Sequence, residues 1–302
     1  MGAKNCRLLT PETVKESLSS FDTVLFDCDG VLWRGSETLE GAVELTTHLT
    51  SIGKRVGYVT NNSYRSQKQT MDELNKRGLP TPEPDLVLCT ARATALYIKK
   101  RFPNGNIFRL GNPGMVIEFD REGINHWTTE NTFEPHNLTE YPVIDAVVHG
   151  MDKEINFHRL LTATNLLYQN KNAVFVATNM DPTFPEAAGR MSVGCGSLVS
   201  ALASSVQRPP DVIVGKPNST IFDMVAADLN LNGQRTLVVG DRCDTDIGFA
   251  SSIGGASLLV LTGVEKLEDA QKHTLPDATN PEYAPTCYSP SVNEFYKILK
   301  LL

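Results

Sequence analysis

The sequence predicts an α/β fold in which helices cover a parallel sheet and a second α/β domain is inserted into the chain. Short β-rich runs alternate with amphipathic stretches from the first strand to the last. That alternation is typical of βαβ units, whose strands are parallel and whose crossovers are helical. Two turn-rich breaks in the alternation predict the insertion.

Nine runs have the composition of strands and are bounded by turn residues. In chain order they are 23–27, 55–60, 86–89, 106–110, 143–149, 173–178, 212–215, 236–240 and 257–262. Between them, apolar residues recur at helical spacing, most clearly over 41–52 and 220–231. We expect these segments to be helices that place one face on the core.

The breaks lie at 102–106 and 204–211, where Pro, Gly, Asn and Ser accumulate. Each separates stretches that have their own β/α alternation. We therefore predict a discontinuous core formed by 1–104 and 210–302, with an inserted cap domain over 105–209.

Composition excludes several classes of protein. The 302 residues have a formal net charge of −7, and 41% of them are hydrophobic. The negative net charge argues against a nucleic-acid or membrane-surface binder, since such proteins have a basic face. The N-terminal residues lack the apolar core of a signal peptide, and no apolar run approaches a membrane span. The six cysteines contain no Cys-x-x-Cys pair. We expect a cytoplasmic protein with reduced thiols.

Two carboxylates, Asp27 and Asp29, end the first apolar strand and lead into Gly30. Such a pair suits metal-assisted phosphoryl transfer. The same short pattern also opens calcium loops and sugar-nucleotide sites, and a strand-end turn favours Asp and Gly as well. An EF-hand needs further oxygen ligands at alternate positions and a closing Glu, and it is excluded because the apolar Leu32 and Trp33 follow the glycine here.

Three further polar segments follow predicted strands: 60–63, Lys216 with Pro217, and 241–246. In an open α/β sheet, ligands bind beyond the carboxyl ends of the strands. We therefore expect all four segments to meet in one crevice, where they supply a nucleophile, metal ligands and a lysine that neutralises charge.

On these motifs the chain resembles the haloacid-dehalogenase-type phosphatases over essentially its whole length. Residues 31–35, 53–63, 215–217 and 240–247 are similar to the group of phosphoglycolate, 4-nitrophenyl phosphate and pyridoxal phosphatases. The resemblance implies a Rossmann-like parallel-sheet core with a large inserted α/β cap of the C2 type.

The resemblance also implies roles for the acidic residues. Asp27 would attack phosphorus to form an aspartyl phosphate, and Asp29 would act as general acid and then general base. Mg²⁺ would be held by the Asp27 carboxylate, the Asp29 main-chain carbonyl and Asp241. Asp246 would orient a water on the metal, or Lys216.

The remaining site residues would contact the phosphate. Thr60 and Asn61, with the backbone amides at the helix start that follows, would bind its oxygens, Asn62 would join them, and Lys216 would offset its charge. Two alternatives stay open from the residues alone: 60–63 is also compatible with a helix cap, and Lys216 with a solvated loop.

The cap would select the substrate. The loop 178–185 is expected to project over the crevice, and Phe184 stands where pyridoxal phosphatases are expected to have a histidine. We therefore favour a small phosphorylated metabolite such as 2-phosphoglycolate, with 4-nitrophenyl phosphate also accepted. Two alternatives are that the substrate is pyridoxal phosphate or a phosphoprotein. A third is that the protein senses phosphate without catalysis. The resemblance also implies that a cap element such as the apolar helical run from 194 can mediate dimer contacts, so we expect a homodimer formed through the cap.

Overall fold

The computed structural model describes residues 6–17, 20–129, 142–185 and 190–302. The strands are β1 (Arg7–Leu8), β2 (Thr23–Phe26), β3 (Trp33–Arg34), β4 (Glu37–Thr38), β5 (Arg55–Thr60), β6 (Val87–Cys89), β7 (Asn106–Leu110), β8 (Asn125–Trp127), β9 (Ala146–His149), β10 (Val174–Ala177), β11 (Thr183–Pro185), β12 (Met191–Val193), β13 (Val212–Ile213), β14 (Thr236–Gly240), β15 (Ala256–Val260) and β16 (Cys287–Ser289). The α-helices are α1 (Pro11–Ser17), α2 (Ala42–Ser51), α3 (Gln67–Lys76), α4 (Thr90–Arg101), α5 (Gly114–Arg121), α6 (Phe157–Gln169), α7 (Cys195–Val206), α8 (Thr220–Ala226), α9 (Gly248–Ser252), α10 (Leu267–Lys272) and α11 (Val292–Leu299).

The larger sheet has seven parallel strands in the order β1-β16-β15-β14-β2-β5-β6. β2 lies inside the sheet between β14 and β5, where Phe26 pairs with Val239 of β14 and with Tyr58 of β5. The segments that follow β2, β5 and β14 contain three of the four predicted site motifs. Because the three strands are adjacent and parallel, these motifs emerge side by side at one edge of the sheet.

The smaller sheet has five parallel strands in the order β13-β10-β9-β7-β8. Its last strand, Val212–Ile213, pairs with β10. The strand predicted over 212–215 therefore belongs to the smaller sheet and does not join β2 and β14 of the larger sheet. A short apolar run does not specify which sheet it will join. The domain boundaries at 104/105 and 209/210 stay a prediction.

Strand residues alternate between three apolar clusters. In β2, Val24 and Phe26 pack with α2 and α11 on one face, whereas Leu25 packs on the other face with α4, α8 and α9. In β7, Ile107 joins this second cluster, and Phe108 packs against α6 and α7. The second cluster therefore lies between the two sheets and joins the core to the inserted domain.

The predicted fold class is confirmed: both sheets are parallel and helices cover them. All nine predicted strands are present, and the helix predicted over 220–231 ends earlier, at Ala226. The strands that were not predicted are two or three residues long, too short for a periodic pattern. No helix in the described part of the chain is long and apolar enough to cross a membrane.

Candidate active site

Loops from the carboxyl ends of both sheets line one cavity of about 610 Å³. The larger sheet contributes the segments after β2, β5 and β14, and the smaller sheet contributes those after β9, β10 and β13. The cavity is lined by every predicted site residue, namely Asp27, Asp29, Thr60, Asn61, Asn62, Phe184, Lys216, Asp241 and Asp246.

Lys216 is a buried cation at the centre of the site, with 3% of its surface exposed. Its Nζ donates to Asp27 Oδ1 at 2.5 Å, to Asp246 Oδ1 at 2.6 Å and to the Val59 carbonyl at 3.1 Å. Burial acts to lower the pKa of Lys216, but the charges of Asp246 and Asp27 outweigh it, so the pKa lies above its ordinary value. Lys216 is therefore a permanent positive charge beside Asp27.

The buried carboxylates outnumber this lysine. Oxygen atoms of Asp27, Asp241 and Asp246 lie within 4.8 Å of one another. Burial and then the charge of Asp246 raise the pKa of Asp241 to about 7. Burial likewise raises the pKa of Asp27, against the opposing charge of Lys216. A cluster of hard oxygen ligands with excess negative charge fits a divalent cation such as Mg²⁺.

Asp246 uses both carboxylate oxygens on protein donors. Oδ1 accepts from Lys216, and Oδ2 accepts from the backbone N–H groups of Asp241 and Arg242, each at 3.1 Å. Gly240 is required beneath it, because a Cβ there would lie 2.1 Å from Asp246 Cβ. Asp246 is thus placed to hold Lys216 and the Asp241 loop together.

Asp29 lies beside Asp27 but faces the open part of the cavity. The indole Nε1 of Trp33 donates to Asp29 Oδ1 at 2.8 Å, and the guanidinium of Arg77 lies over the Trp33 ring, 4.7 Å from its centroid. Surrounding protein raises the pKa of Asp29 by desolvation, and the Trp33 hydrogen bond opposes this. A carboxyl group with a raised pKa and access to the cavity suits proton transfer.

The loop after β5 joins the two sheets. Asn61 Nδ2 donates to Asp181 Oδ2 at 2.8 Å and to the Lys216 carbonyl at 3.1 Å, and Asn61 Oδ1 accepts from the Lys216 N–H at 2.8 Å. The Asn61 side chain therefore fixes the Lys216 loop. The predicted contact of Asn61 with phosphate would then be made by its main-chain groups. Asn62 Oδ1 accepts from the N–H groups of Tyr64 and Arg65.

The helix after this loop begins later than expected. α3 is capped by Ser66, whose hydroxyl accepts from the Gln69 N–H at 3.2 Å. The Gln67 N–H donates to Glu118 Oε1 at 2.7 Å. The N–H groups of Gln67 and Gln69 at the start of α3 therefore already donate to protein groups. The prediction that amides of the helix start bind phosphate has no support at these two amides.

Phe184 reaches the cavity from a hairpin of the inserted domain. β11 pairs antiparallel with β12, with Phe184 opposite Ser192. The preceding loop packs tightly on the start of α7, where a Cβ at Gly196 would lie 2.1 Å from the Met180 carbonyl oxygen. This contact holds the Phe184 hairpin over the cavity.

Comparison with known proteins identifies the family. A model described as haloacid dehalogenase-like hydrolase matches residues 24–125, and one described as HAD-hydrolase-like matches 213–295. The chain is 37% identical to glycerol-3-phosphate phosphatase of Gallus gallus, over 90% of this chain and 89% of that protein. The chain belongs to the haloacid dehalogenase-like hydrolase family.

Further relatives of this haloacid dehalogenase-like hydrolase are phosphatases. Phosphoglycolate phosphatase 2 of Arabidopsis thaliana is 31% identical, with 97% of this chain and 98% of that protein covered. In structure, the chain is similar to p-nitrophenyl phosphatase from Archaeoglobus fulgidus, with a TM-score of 0.77, 28% identity, and 92% and 99% coverage. The expectation of a phosphatase is confirmed, and the alternative of phosphate sensing without catalysis is set aside.

Sequence reasoning missed several residues that line the cavity of this hydrolase. No role in the site was predicted for Trp33, Tyr64, Arg65 or Lys153. Trp33 lies in the two-residue strand β3 and the other three lie in loops, so none of them belongs to a periodic pattern. Polar or aromatic residues directly after β5 and β9 were the available signal, since both strands end at the cavity.

Proposed function

We propose that this phosphatase hydrolyses small phosphomonoesters in a Mg²⁺-dependent reaction that passes through an aspartyl phosphate on Asp27. The proposal rests above all on the buried contact of Lys216 with Asp27 and Asp246. A carboxylate beside a fixed ammonium group can approach a phosphoryl group whose negative charge would otherwise repel it.

The cation would be held by the Asp27 carboxylate, the main-chain carbonyl of Asp29 and the carboxylate of Asp241. Asp241 is oriented for this by the Val264 N–H, which donates to its Oδ2 at 2.8 Å. When bound, Mg²⁺ supplies positive charge that offsets the charge on the phosphoryl oxygens. Asp246 would act indirectly, by fixing Lys216 and the Asp241 loop.

In the first step, one Asp27 oxygen forms a bond to phosphorus as the bond from phosphorus to the leaving oxygen breaks. Asp29 gives its proton to that oxygen, so the alcohol leaves neutral. In the second step, Asp29 takes a proton from water, and the resulting hydroxide attacks phosphorus and releases Asp27 and phosphate. The Thr60 hydroxyl, the main chain at Asn61 and Asn62, and Lys216 would hold the phosphoryl oxygens in both steps.

For the substrate, we favour 2-phosphoglycolate and expect 4-nitrophenyl phosphate to be accepted. A relative named phosphoglycolate phosphatase supports the first. Glycerol 3-phosphate is a second candidate, because a relative at 37% identity is named for its hydrolysis. Pyridoxal phosphate and phosphoproteins are disfavoured by Phe184 and by the hairpin that covers the cavity.

We also propose that the enzyme is cytoplasmic and forms a homodimer through the inserted domain. Met191 and Val193 of β12 are 60% and 54% exposed, and apolar side chains on an edge strand favour association. Sedimentation of the wild type and of Met191→Lys measures this: a monomeric variant supports the proposal, whereas a monomeric wild type contradicts it.

Phosphate release tests the catalytic proposal. We would assay 2-phosphoglycolate, glycerol 3-phosphate, 4-nitrophenyl phosphate and pyridoxal 5′-phosphate, each with Mg²⁺ and with chelator. We expect the wild type to release phosphate only when Mg²⁺ is present, and Asp27→Asn to release none. Asp244→Asn should stay active, because the Asp244 side chain pairs with Arg242 outside the carboxylate cluster. Full turnover in chelator, or in Asp27→Asn, would refute the mechanism.

A further inference from the structure

Two cations line the cavity near the place where the leaving group would emerge. Lys153 lies in the loop after β9 of the smaller sheet, and Arg65 lies in the loop after β5 of the larger sheet. They face the same cavity as Asp29, the proposed proton donor to the leaving oxygen. Burial raises the pKa of Asp29, and the charge of Arg65 is among the effects that oppose this rise.

Direct contacts between the sheets fix the backbone around both cations. The Met151 N–H donates to Ser63 Oγ at 2.8 Å, and the Gly114 N–H donates to the Tyr64 carbonyl at 2.9 Å. Gly114 is required, because a Cβ there would lie 2.4 Å from the carbonyl carbon of Arg65. The two loops are therefore held against each other.

An aromatic ring also positions the lysine. Lys153 Nζ lies 4.6 Å from the centroid of the Tyr64 ring, a cation–π contact with the residue that directly precedes Arg65 in the facing loop. The ring attracts the ammonium group without neutralising its charge.

Both cations have their charge available. Among the residues that the structure describes, no carboxylate forms an ion pair with Lys153 or Arg65. Other cations of the cavity differ: Arg77 pairs with Glu73, and Arg242 pairs with Asp244. An anion entering a cavity with several buried carboxylates is repelled unless a cation faces it.

We propose that Lys153 and Arg65 form a subsite for a carboxylate on the leaving alcohol. The preferred substrates are then phosphomonoesters whose alcohol has a carboxylate close to the ester oxygen. Neutral leaving alcohols lack a group for this subsite and bind less well. This inference rests on the proposed phosphatase mechanism, and names the residues that select within its substrates.

The test compares kcat/KM for 2-phosphoglycolate, glycerol 3-phosphate and 4-nitrophenyl phosphate in the wild type, Lys153→Met and Arg65→Met. We expect each variant to lose about tenfold to a hundredfold on 2-phosphoglycolate, the usual effect of removing a charged hydrogen-bond partner. That loss should exceed the loss on the two neutral alcohols at least tenfold. Lys153→Arg should restore most of the preference. Lys171→Met, which removes an exposed lysine before β10, is the matched control.

Equal losses on all three substrates would overturn the subsite, since that result reports a general structural effect. A wild type without Mg²⁺-dependent turnover would instead contradict the proposed function. Calorimetric binding of 2-phosphoglycolate to Asp27→Asn tests the subsite separately from turnover. Adding Lys153→Met to that variant should weaken binding about tenfold, and unchanged binding would overturn the inference.

Discussion

Replacing Lys216 by Met removes the positive charge from the centre of the site while keeping a side chain of similar length. In the wild type, Nζ lies 2.5 Å from Asp27 and 2.6 Å from Asp246. Met cannot donate to either carboxylate or to the Val59 carbonyl. The variant therefore leaves two buried carboxylates close together without their shared cation.

Breaking a buried ion pair from one side costs about 3–5 kcal/mol. The cost should depend on pH. Lys216 stays protonated across the working range, because its pKa is raised. Burial raises the pKa of Asp27 in the folded protein, and the ammonium group of Lys216 opposes this rise. In the variant that opposition is gone, so the pKa of Asp27 rises further. An acid with a raised folded-state pKa loses stability as pH rises through that value, so the destabilisation should be larger at pH 8 than at pH 5.

Urea unfolding in the presence of chelator, at both pH values, measures this difference, and phosphate release measures the catalytic effect. We expect kcat to fall by at least about a hundredfold with Mg²⁺ present, as when a preorganised donor is removed. Lys171→Met controls for the loss of one positive charge at the surface. A destabilisation below about 1 kcal/mol that is equal at both pH values would refute the electrostatic reasoning.

Three further outcomes follow from the geometry. Asp27→Asn should abolish turnover and leave the circular dichroism spectrum unchanged, and Asp29→Asn should nearly abolish it; near-normal rates would contradict their roles. Phe184→His should change the ratio of kcat/KM between 2-phosphoglycolate and pyridoxal phosphate by a larger factor than it changes the rate on 4-nitrophenyl phosphate. Equal factors would contradict a role of Phe184 in substrate selection. Burial lowers the pKa of His149 to about 4, so the folded state resists protonation of this side chain. As the pH falls from 7 to 5, the free energy of unfolding should therefore decrease by about 2 kcal/mol. If the free energy of unfolding of His149→Gln has the same pH dependence as that of the wild type, His149 is not the cause.

The sequence predicted the parts of the site that follow regular strands. β2, β5 and β14 are long enough to show their apolar pattern, and Asp27, Thr60 and Asp241 each stand one residue after or at the end of a strand. Position in a parallel sheet then places them at one edge. The placement of Val212–Ile213 in the smaller sheet could not be predicted, because two apolar residues fit either sheet equally well.

Contacts between distant loops could not be predicted either. The Asn61 side chain bonds to residues 120 and 155 positions away, and the contact of Lys153 with Tyr64 joins two loops of different sheets. No periodic pattern encodes such pairs, since they depend on how the inserted domain packs on the core. Residue type indicated that Asn61 belonged to the site, whereas its partners required the structure.

Burial divides the site into two parts with different tolerance to change. The groups around the proposed phosphoryl position, Asp27, Lys216, Asp241 and Asp246, are all buried and bonded to one another. Substituting one of them leaves a buried charge without its partner, which costs both stability and rate.

The groups on the proposed leaving-group side lie in loops of the opposing walls, and Lys153 and Arg65 are exposed. Their substitution is expected to leave the buried network intact, because surface changes away from such networks usually alter stability by less than about 0.5 kcal/mol. Asn61 is the link between the two parts, since it bonds both the Lys216 loop and Asp181 of the cap loop. Selection among leaving groups can therefore change through the loops while the chemistry at Asp27 is retained, which is consistent with relatives that have different substrate names at similar identity.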